Sequence, residues 1–530
     1  MTLDVPTCSY VLEAGTDPAT FLSALNEQFD EQGVEVAAPG AWSTWTVLDT
    51  ADRRLRAAGV EADLVERPDG PWLTLGDGGP RRGPSLRVDP AHRWLVDELS
   101  PSVVRARLAP LVSMRALLPV VTLARRDHPF VVRNADEKVV VRGRVGEARA
   151  VPVGDGFAPV DLRPRVELTG VLGYPKPFDR LRSVLDDELG LKRARRPLAD
   201  EAALAAGQSL AGVPSKPDVD LSPTQRTDTA AFAILRSLAD IVEANVPGTL
   251  ADLDTEFLHD LRVAIRRSRS VLRELKRAWA DGPRDAQADT LRWVQAITGP
   301  VRDLDVQLLE WDDLVAPLPE ARRHDLAPVR ALLVEHWAAA FADLTAALRG
   351  DHYATAWAGW RAFLDNDLPS GPQHGGPRRN RPHAGPDAAL PIHDVAAGRV
   401  ARVYRRMQKM GGAIDDSSPA QDLHDLRKRG KELRYLLELF GGVLVGGAVR
   451  PMVTALKGLQ DVLGRHQDCE VQAGELRALA PELARSGGDD VPAALLALGA
   501  LIDRLEADQA RARQGFAARF AAFRSLEVPA

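Results

Sequence analysis

Leu258-His259-Asp260-Leu261-Arg262 recurs 165 residues later as Leu423-His424-Asp425-Leu426-Arg427. The match continues without a gap. Arg266 meets Lys431, Arg269 meets Arg434, Leu291-Arg292 meets Leu456-Lys457, Gln295 meets Gln460, Gly299 meets Gly464 and Asp303 meets Asp468. A register held from Leu258 to Asp303 marks an internal duplication. From residue 226 onward helical periodicity dominates, with Ala, Leu, Arg and Glu prominent. The Pro/Gly-rich residues 367–390 cannot be a helix and separate half one (226–366) from half two (391–525). Either half alone would leave an apolar face bare, so the two are expected to pack together.

The charges fall on one side of these helices. With His259 at zero and about 100° per residue, Arg262, Arg266, Arg269 and Arg273 lie near 300°, 340°, 280° and 320°. Leu261, Ile265, Leu272 and Leu275 lie between about 160° and 240°, a core stripe that the basic arc borders. His424, Arg427, Lys431 and Arg434 repeat the spacing, and Arg399, Arg402, Arg406 and Lys409 repeat it again. Like charges at these spacings repel by a few tenths of a kcal/mol per pair, and residues 399–409 contain no Asp or Glu to offset them. A linear polyanion would relieve the repulsion, and arginine suits it: the planar guanidinium grips phosphate oxygens bidentately and never loses its charge. One basic face is ordinarily solvated or paired with acids elsewhere; three matching ladders favour a ligand. His259 and His424 read as further phosphate donors. A divalent metal between them is disfavoured among so many arginines, and His pairs at i, i+4 are absent, so neither metal nor cofactor is expected.

Composition sets the frame. At 530 residues, with 45% hydrophobic and 27% charged residues, the chain is expected to hold two to four globular domains. Its net charge of −6 means that any anion site comes from local clustering. Cys8 and Cys469 make neither a disulfide framework nor a zinc site. The opening residues lack the pattern of a signal peptide, and no run of about 18 apolar residues is apparent, so no membrane span is expected. The expectation is a cytoplasmic protein.

Residues 1–205 read as mixed α/β. Trp45-Thr46-Val47-Leu48 and Lys138-Val139-Val140-Val141 have strand character, and Arg67-Pro68-Asp69-Gly70-Pro71 reads as a turn. Residues 206–225, rich in Pro and Ser, read as a linker to the all-α region 226–530.

The duplicated stretch resembles the CHAD domain, the conserved histidine α-helical domain. The resemblance rests on Leu258–Arg267, on Leu423-His424-Asp425-Leu426-Arg427-Lys428, on Lys431-Glu432-Leu433-Arg434-Tyr435, on Leu459-Gln460-Asp461-Val462-Leu463-Gly464, and on the Gly299–Val306 turn. It covers about residues 226–525 and implies two pseudo-symmetric four-helix bundles with a basic surface between them that binds inorganic polyphosphate. Carried over, the site comprises His259, Arg262, Arg266, Arg269, Arg273, Arg292, His424, Arg427, Lys428, Lys431, Arg434 and Lys457, to which the third ladder adds Arg399, Arg402, Arg406 and Lys409.

The N-terminal region resembles a degenerate CYTH domain, a β-rich tunnel with helices, through Leu48-Asp49-Thr50-Ala51-Asp52-Arg53-Arg54-Leu55 and Val121-Thr122-Leu123-Ala124-Arg125-Arg126. That family opens with alternating glutamates and a lysine. Here Cys8-Ser9-Tyr10-Val11-Leu12-Glu13 has one glutamate and no lysine, Thr74 stands where a lysine is expected, and Glu167 alone remains of the acidic strand. A triphosphatase needs several carboxylates to hold its metal. The expectation is therefore a non-enzymatic polyphosphate binder, with association to polyphosphate granules. The alternatives are a CYTH-type triphosphatase acting on short polyphosphates and a nucleic-acid-binding protein, the latter disfavoured by sparse aromatics near Trp279 and Trp293.

Overall fold

The structure is a computed structural model and describes residues 5–28, 33–76, 83–154, 158–365, 384–415, 417–444 and 448–526. The chain divides into two compact units, Met1–Pro214 and Ser215–Ala530, with the division inside the Pro/Ser-rich stretch 206–225.

Alternating β-branched residues build the first unit as one antiparallel sheet. Its strands are β1 (Thr7–Val11), β2 (Val34–Val36), β3 (Ser43–Asp49), β4 (Glu61–Arg67), β5 (Gly70–Gly76), β6 (Ser85–Arg87), β7 (Leu118–Arg133), β8 (Val139–Val151), β9 (Val160–Asp161), β10 (Arg165–Gly170) and β11 (Lys192–Arg193). They order as β11-β1-β10-β8-β7-β3-β4-β5-β6, with β2 on β7 and β9 on β8. The path is open among the described residues and ends on short strands, which limits the exposed edge. Helices α1 (Pro18–Glu27), α2 (Arg54–Ala57), α3 (Val103–Val112), α4 (Pro175–Ser183) and α5 (Leu198–Ala205) accompany it. Phe21, Leu22 and Leu25 of α1 with Phe178 and Leu181 of α4 pack on Tyr10, Val141, Val145 and Val166. Ala202 and Ala203 of α5 pack on Val121, Leu123, Ala148 and Ala150.

The second unit is helical throughout. Half one holds α6 (Thr227–Leu250), α7 (Thr255–Glu274), α8 (Asp281–Ile297), α9 (Gly299–Leu309), α10 (Trp311–Val315), α11 (Glu320–Asp325), α12 (Ala327–Arg349) and α13 (Asp351–Asp365). Half two holds α14 (Ile392–Gly411), α15 (Ala420–Phe440), α16 (Val449–Ser486), α17 (Val491–Gln514) and α18 (Phe516–Arg524). The starts of α6 and α14, of α7 and α15, and of α13 and α18 are each 165 residues apart, the offset of the sequence repeat. The halves also meet reciprocally. The Thr227 N–H donates to the Leu390 carbonyl (2.9 Å), and the Ile392 N–H donates to the Gln225 carbonyl (2.8 Å). Donors and acceptors are both related by the repeat offset, which is the signature of a pseudo-twofold contact.

The interior does not divide at the repeat boundary. One core joins Leu235, Leu261, Ile265 and Leu272 to Val403, Leu426, Leu433 and Leu456. A second joins Trp311, Leu326 and Leu333 to Leu476, Leu498 and Leu501. Of residues 367–390, those through 383 lie outside the described residues; beyond them the Gly385 N–H donates to the Ala278 carbonyl (3.0 Å) and Ala388 is buried. The sequence reading of no long apolar run needs one correction. The helical stretch Glu320–Arg349 is long and apolar enough to cross a membrane by length and composition. Many small alanines raise its hydropathy where no unbroken run of large apolar residues exists, while Val329, Leu333, Leu344 and Leu348 are buried within the unit.

Gly248 on α6 lies where an added Cβ would overlap the buried Phe257 ring of α7. Overpacking of this kind costs about 1–3 kcal/mol, enough to outweigh the better helix propensity of alanine, worth about 1 kcal/mol. Gly248→Ala is expected to lower the urea midpoint; an unchanged or higher midpoint would show that α6 and α7 have room to separate.

Candidate anion-binding site

The site is built on α7. Asp254 caps its start by accepting from the N–H groups of Glu256 (3.0 Å) and Phe257 (3.3 Å). Leu258, Leu261, Ile265 and Leu272 are buried, and the bordering His259, Arg262, Arg266 and Arg269 are half-buried, as the helical wheel requires. Arg262 reaches the end of α8, donating to the Gln295 carbonyl (3.1 Å) and to the Thr298 hydroxyl (2.9 Å). It thereby helps to satisfy one of the carbonyls that a helix end leaves without an intrahelical partner. Its counterpart Arg427 on α15 pairs with Asp468 (3.0 Å). His424 contacts Gln467 on α16.

At the next ladder step the halves converge. The Arg266 guanidinium lies 5.4 Å from the centroid of Tyr435, and that of Arg434 lies 5.7 Å from the same ring, so arginines of α7 and α15 share one aromatic ring. Lys431 joins this group. Burial, and then the charges of Arg427, Arg266 and Arg434, push its ammonium down to about 8, and Asp468 offsets only part of that. Arg269 is likewise lowered by burial and then by Arg292 and Arg273. Arg266, Arg269 and Lys431 make no ion pair among the described residues, and the buried Nε of Arg266 finds no hydrogen-bond acceptor there.

Next to this group a pocket of about 390 Å³ opens between α7 and α8. Arg266, Arg269, Arg273 and Arg292 line it, as do Lys276 and Arg284, against a single carboxylate, Asp285. Lys276 and Arg284 escaped the sequence reading, although Lys276 is the next step of the ladder after Arg273. Arg284 belongs to the start of a neighbouring helix, which spacing along α7 cannot reveal.

In the third ladder the structure sets Arg399 apart from the other three cations. Its own helix has no acids near Arg399, yet Arg399 contacts the buried Glu274 of α7 and lies 3.7 Å from Glu432 of α15. Helix packing supplies the carboxylates that its sequence lacks. Arg402, Arg406 and Lys409 are exposed on α14, as is Lys457 on α16, and none of the four lines the pocket. Lys428 is exposed and pairs with Asp425 (3.2 Å). Among the described residues no group of three or more His, Cys, Asp or Glu side chains is placed to hold a metal ion.

In unit one, Glu167 is taken up by Arg125 (2.9 Å) and by Arg144 (2.7 Å), and Thr74 bonds Ser85 (3.0 Å).

These features define a duplicated helical unit whose halves press cations together along a shared seam. The family model of the CHAD domain matches residues 233–477, from α6 into α16, so the second unit carries a CHAD domain that spans both halves of the repeat. Among solved structures, the chain is similar to the CHAD domain from the plant Ricinus communis at 23% identity, over 59% of this chain and 98% of that one, with a TM-score of 0.48. It is also similar to PptA from Streptomyces chartreusis at 17% identity, over 57% of this chain and all (100%) of that one, with a TM-score of 0.43. No curated protein matches the chain.

Lys431 gives a check on the crowding that needs no ligand. Its folded pKa of about 8 lies below the ordinary lysine value of 10.5, so between those values the unfolded chain holds the extra proton. Its contribution to stability therefore rises with pH across that window. Lys431→Met, which keeps the apolar stem, is expected to be more stable than the parent at pH 7, with the gap closing towards pH 10. Urea melts at both values test this; a pH-independent gap would mean that the ammonium is not crowded.

Proposed function

We propose that the helical unit binds inorganic polyphosphate without catalysis, along the seam where α7 and α15 meet. One observation carries this reading: Arg266, Arg269 and Lys431, drawn from both halves, are held close to further arginines and make no ion pair among the described residues. A chain of phosphates supplies the missing negative charge at regular intervals and accepts bidentate bonds from guanidinium groups. Polyphosphate is favoured over single-stranded nucleic acid because the nearby rings offer no stacking platform. Trp279 and Tyr435 are buried, and Trp293 packs edge-on against His352. The proposed setting is the cytoplasm, in association with polyphosphate granules.

Unit one is proposed to be catalytically silent. Glu167 is neutralised by two arginines, and α5 covers the sheet face of Leu123 and Ala148 with apolar side chains. Incubating the full chain with tripolyphosphate and Mg²⁺ or Mn²⁺ is expected to release no phosphate above background; sustained turnover would restore the triphosphatase reading.

Calorimetric titration of the full chain with polyphosphate and with single-stranded DNA tests the binding itself. Arg266→Ala and Lys431→Ala are each expected to weaken polyphosphate binding by about 1.5–3 kcal/mol, the worth of a charge-assisted contact, and the double change further. With six or more phosphate contacts, affinity is expected to fall by about 10³ or more between 50 and 200 mM salt, through loss of the counterion-release term. Unchanged affinity in the three variants, or a flat salt response, would overturn the reading, and tighter binding of DNA would replace polyphosphate with nucleic acid.

A further inference from the structure

The repeat offset separates the cations of half one into two sets. Arg266, Arg269 and Arg292 have cationic counterparts in Lys431, Arg434 and Lys457. Arg273, Lys276 and Arg284 do not: their counterparts are Glu438, Gly441 and Val449. Of the shared set, Arg266, Lys431 and Arg434 meet at the seam between the halves. The private set lies at the other end of the pocket, where the connection between α7 and α8 joins the two helices. The site is thus a strip built by both halves that runs into a denser cluster belonging to half one alone.

The ends of a polyphosphate chain differ from its interior. An interior phosphate carries one charge. A terminal phosphate has a second ionisation, as a phosphate monoester does with a pKa near 6, and so carries about −1.5 to −2 at pH 7. The part of the site with the greatest cation density is therefore matched to the part of the ligand with the greatest charge density. Six cations line the pocket with one carboxylate. Arg273, Arg284 and Arg292 also pair with Glu274, with Asp281 and Asp285, and with Asp289, while Arg266, Arg269 and Lys276 make no ion pair among the described residues. Along the strip Arg427 pairs with Asp468 and Arg434 with Glu438. Arg266 belongs to both, lining the pocket while it shares the Tyr435 ring with Arg434. A chain bound along the seam reaches the pocket without leaving the cations.

We infer that the pocket between α7 and α8 captures the terminal phosphate of a polyphosphate chain while the seam holds the interior residues behind it. This inference rests on the polyphosphate reading and adds end recognition to it. The chain end would be anchored by Lys276, Arg273 and Arg284, with Arg269 and Arg292 on the next phosphates inward.

The test uses the full chain and two preparations of polyphosphate of one defined length, one with free ends and one with both terminal phosphates capped as phosphoramidates. At pH 7 the free-ended chain is expected to bind about tenfold more tightly, the equivalent of one charge-assisted contact. Lowering the pH to 5 is expected to shrink the difference as the terminal phosphate takes up its second proton. Lys276 is exposed and makes no ion pair among the described residues, so Lys276→Glu is expected to fold as the parent does. That variant should bind free-ended polyphosphate no better than the parent binds the capped form, and should keep most of its affinity for the capped form. Equal binding of capped and free chains by the parent would overturn end capture while leaving the seam reading intact. Binding of neither chain would overturn the seam reading and end capture together.

Discussion

Like charges are held close together here because the apolar layer beneath them leaves no alternative. Lys431, Arg266, Arg427 and Arg434 repel one another, and each exposed pair of this kind costs a few tenths of a kcal/mol. The same two helices bury Leu261, Ile265, Leu272, Leu426, Leu433 and Leu437 in a common core, and each such side chain contributes about 1.5–3 kcal/mol when fully buried. The core therefore decides where α7 and α15 lie, and the cations at its border accept the resulting crowding. Tyr435 moderates it by setting its ring against both Arg266 and Arg434. What remains is a partial deficit of negative charge: Arg427 pairs with Asp468 and Arg434 with Glu438, whereas Arg266 and Lys431 make no ion pair among the described residues.

The duplication explains both the likeness of the halves and their differences. Reciprocal hydrogen bonds between the starts of α6 and α14 keep the pseudo-twofold relation at one end of the unit. Away from it, the halves have diverged. In half one the run breaks at Thr298, whose hydroxyl donates to the Val294 carbonyl (2.8 Å) and accepts from Arg262. The equivalent position in half two is Leu463, buried in the core, and α16 continues unbroken for 38 residues. Arg427, with no hydroxyl to reach, pairs with Asp468 instead. A polar residue in one copy and an apolar one in the other thus give equivalent arginines different partners. The long α16 and its neighbour α17 then pack on α10, α11 and α12 of half one, so each half completes the interior of the other.

The helical unit was legible in the sequence wherever the signal lay within one helix or in the repeat itself. The buried stripe of α7, the half-buried arginines beside it and the pairing of Arg266 with Lys431 all follow from spacing and offset. What spacing cannot encode is which helix lies alongside. The acids that meet Arg399 come from α7 and α15, so an arginine that is bare along its own sequence is paired in the fold. The pocket was missed in part for the same reason, since Arg284 approaches from α8. In unit one, strands were legible from alternation, as at Trp45–Leu48 and Val139–Val141. The open path of the sheet was not, because strand order depends on pairings far apart in sequence, such as β3 with β7.

The two units show what separates a structural charge network from a ligand site. In unit one Arg125 is flanked by Asp127 and Glu167, Arg144 shares both carboxylates, and Arg126 and His128 share Glu147. Each of these arginines has an acid in the same fold, and although burial pushes the Glu167 carboxyl up, Arg125 and Arg144 outweigh it and hold Glu167 below the usual carboxylate range. An incoming phosphate would have to displace those carboxylates and leave them unpaired, a costly exchange in a buried setting. In the helical unit burial and neighbouring cations lower Lys431 and Arg269, and these two make no ion pair among the described residues, so an anion that approaches them displaces no carboxylate of theirs. Arginine content is high in both units, so composition alone cannot tell them apart. The deciding quantity is whether the fold has already supplied the counter-charge, and beside the α7–α15 seam Arg266, Arg269 and Lys431 make no ion pair among the described residues, although their neighbours Arg427 and Arg434 do.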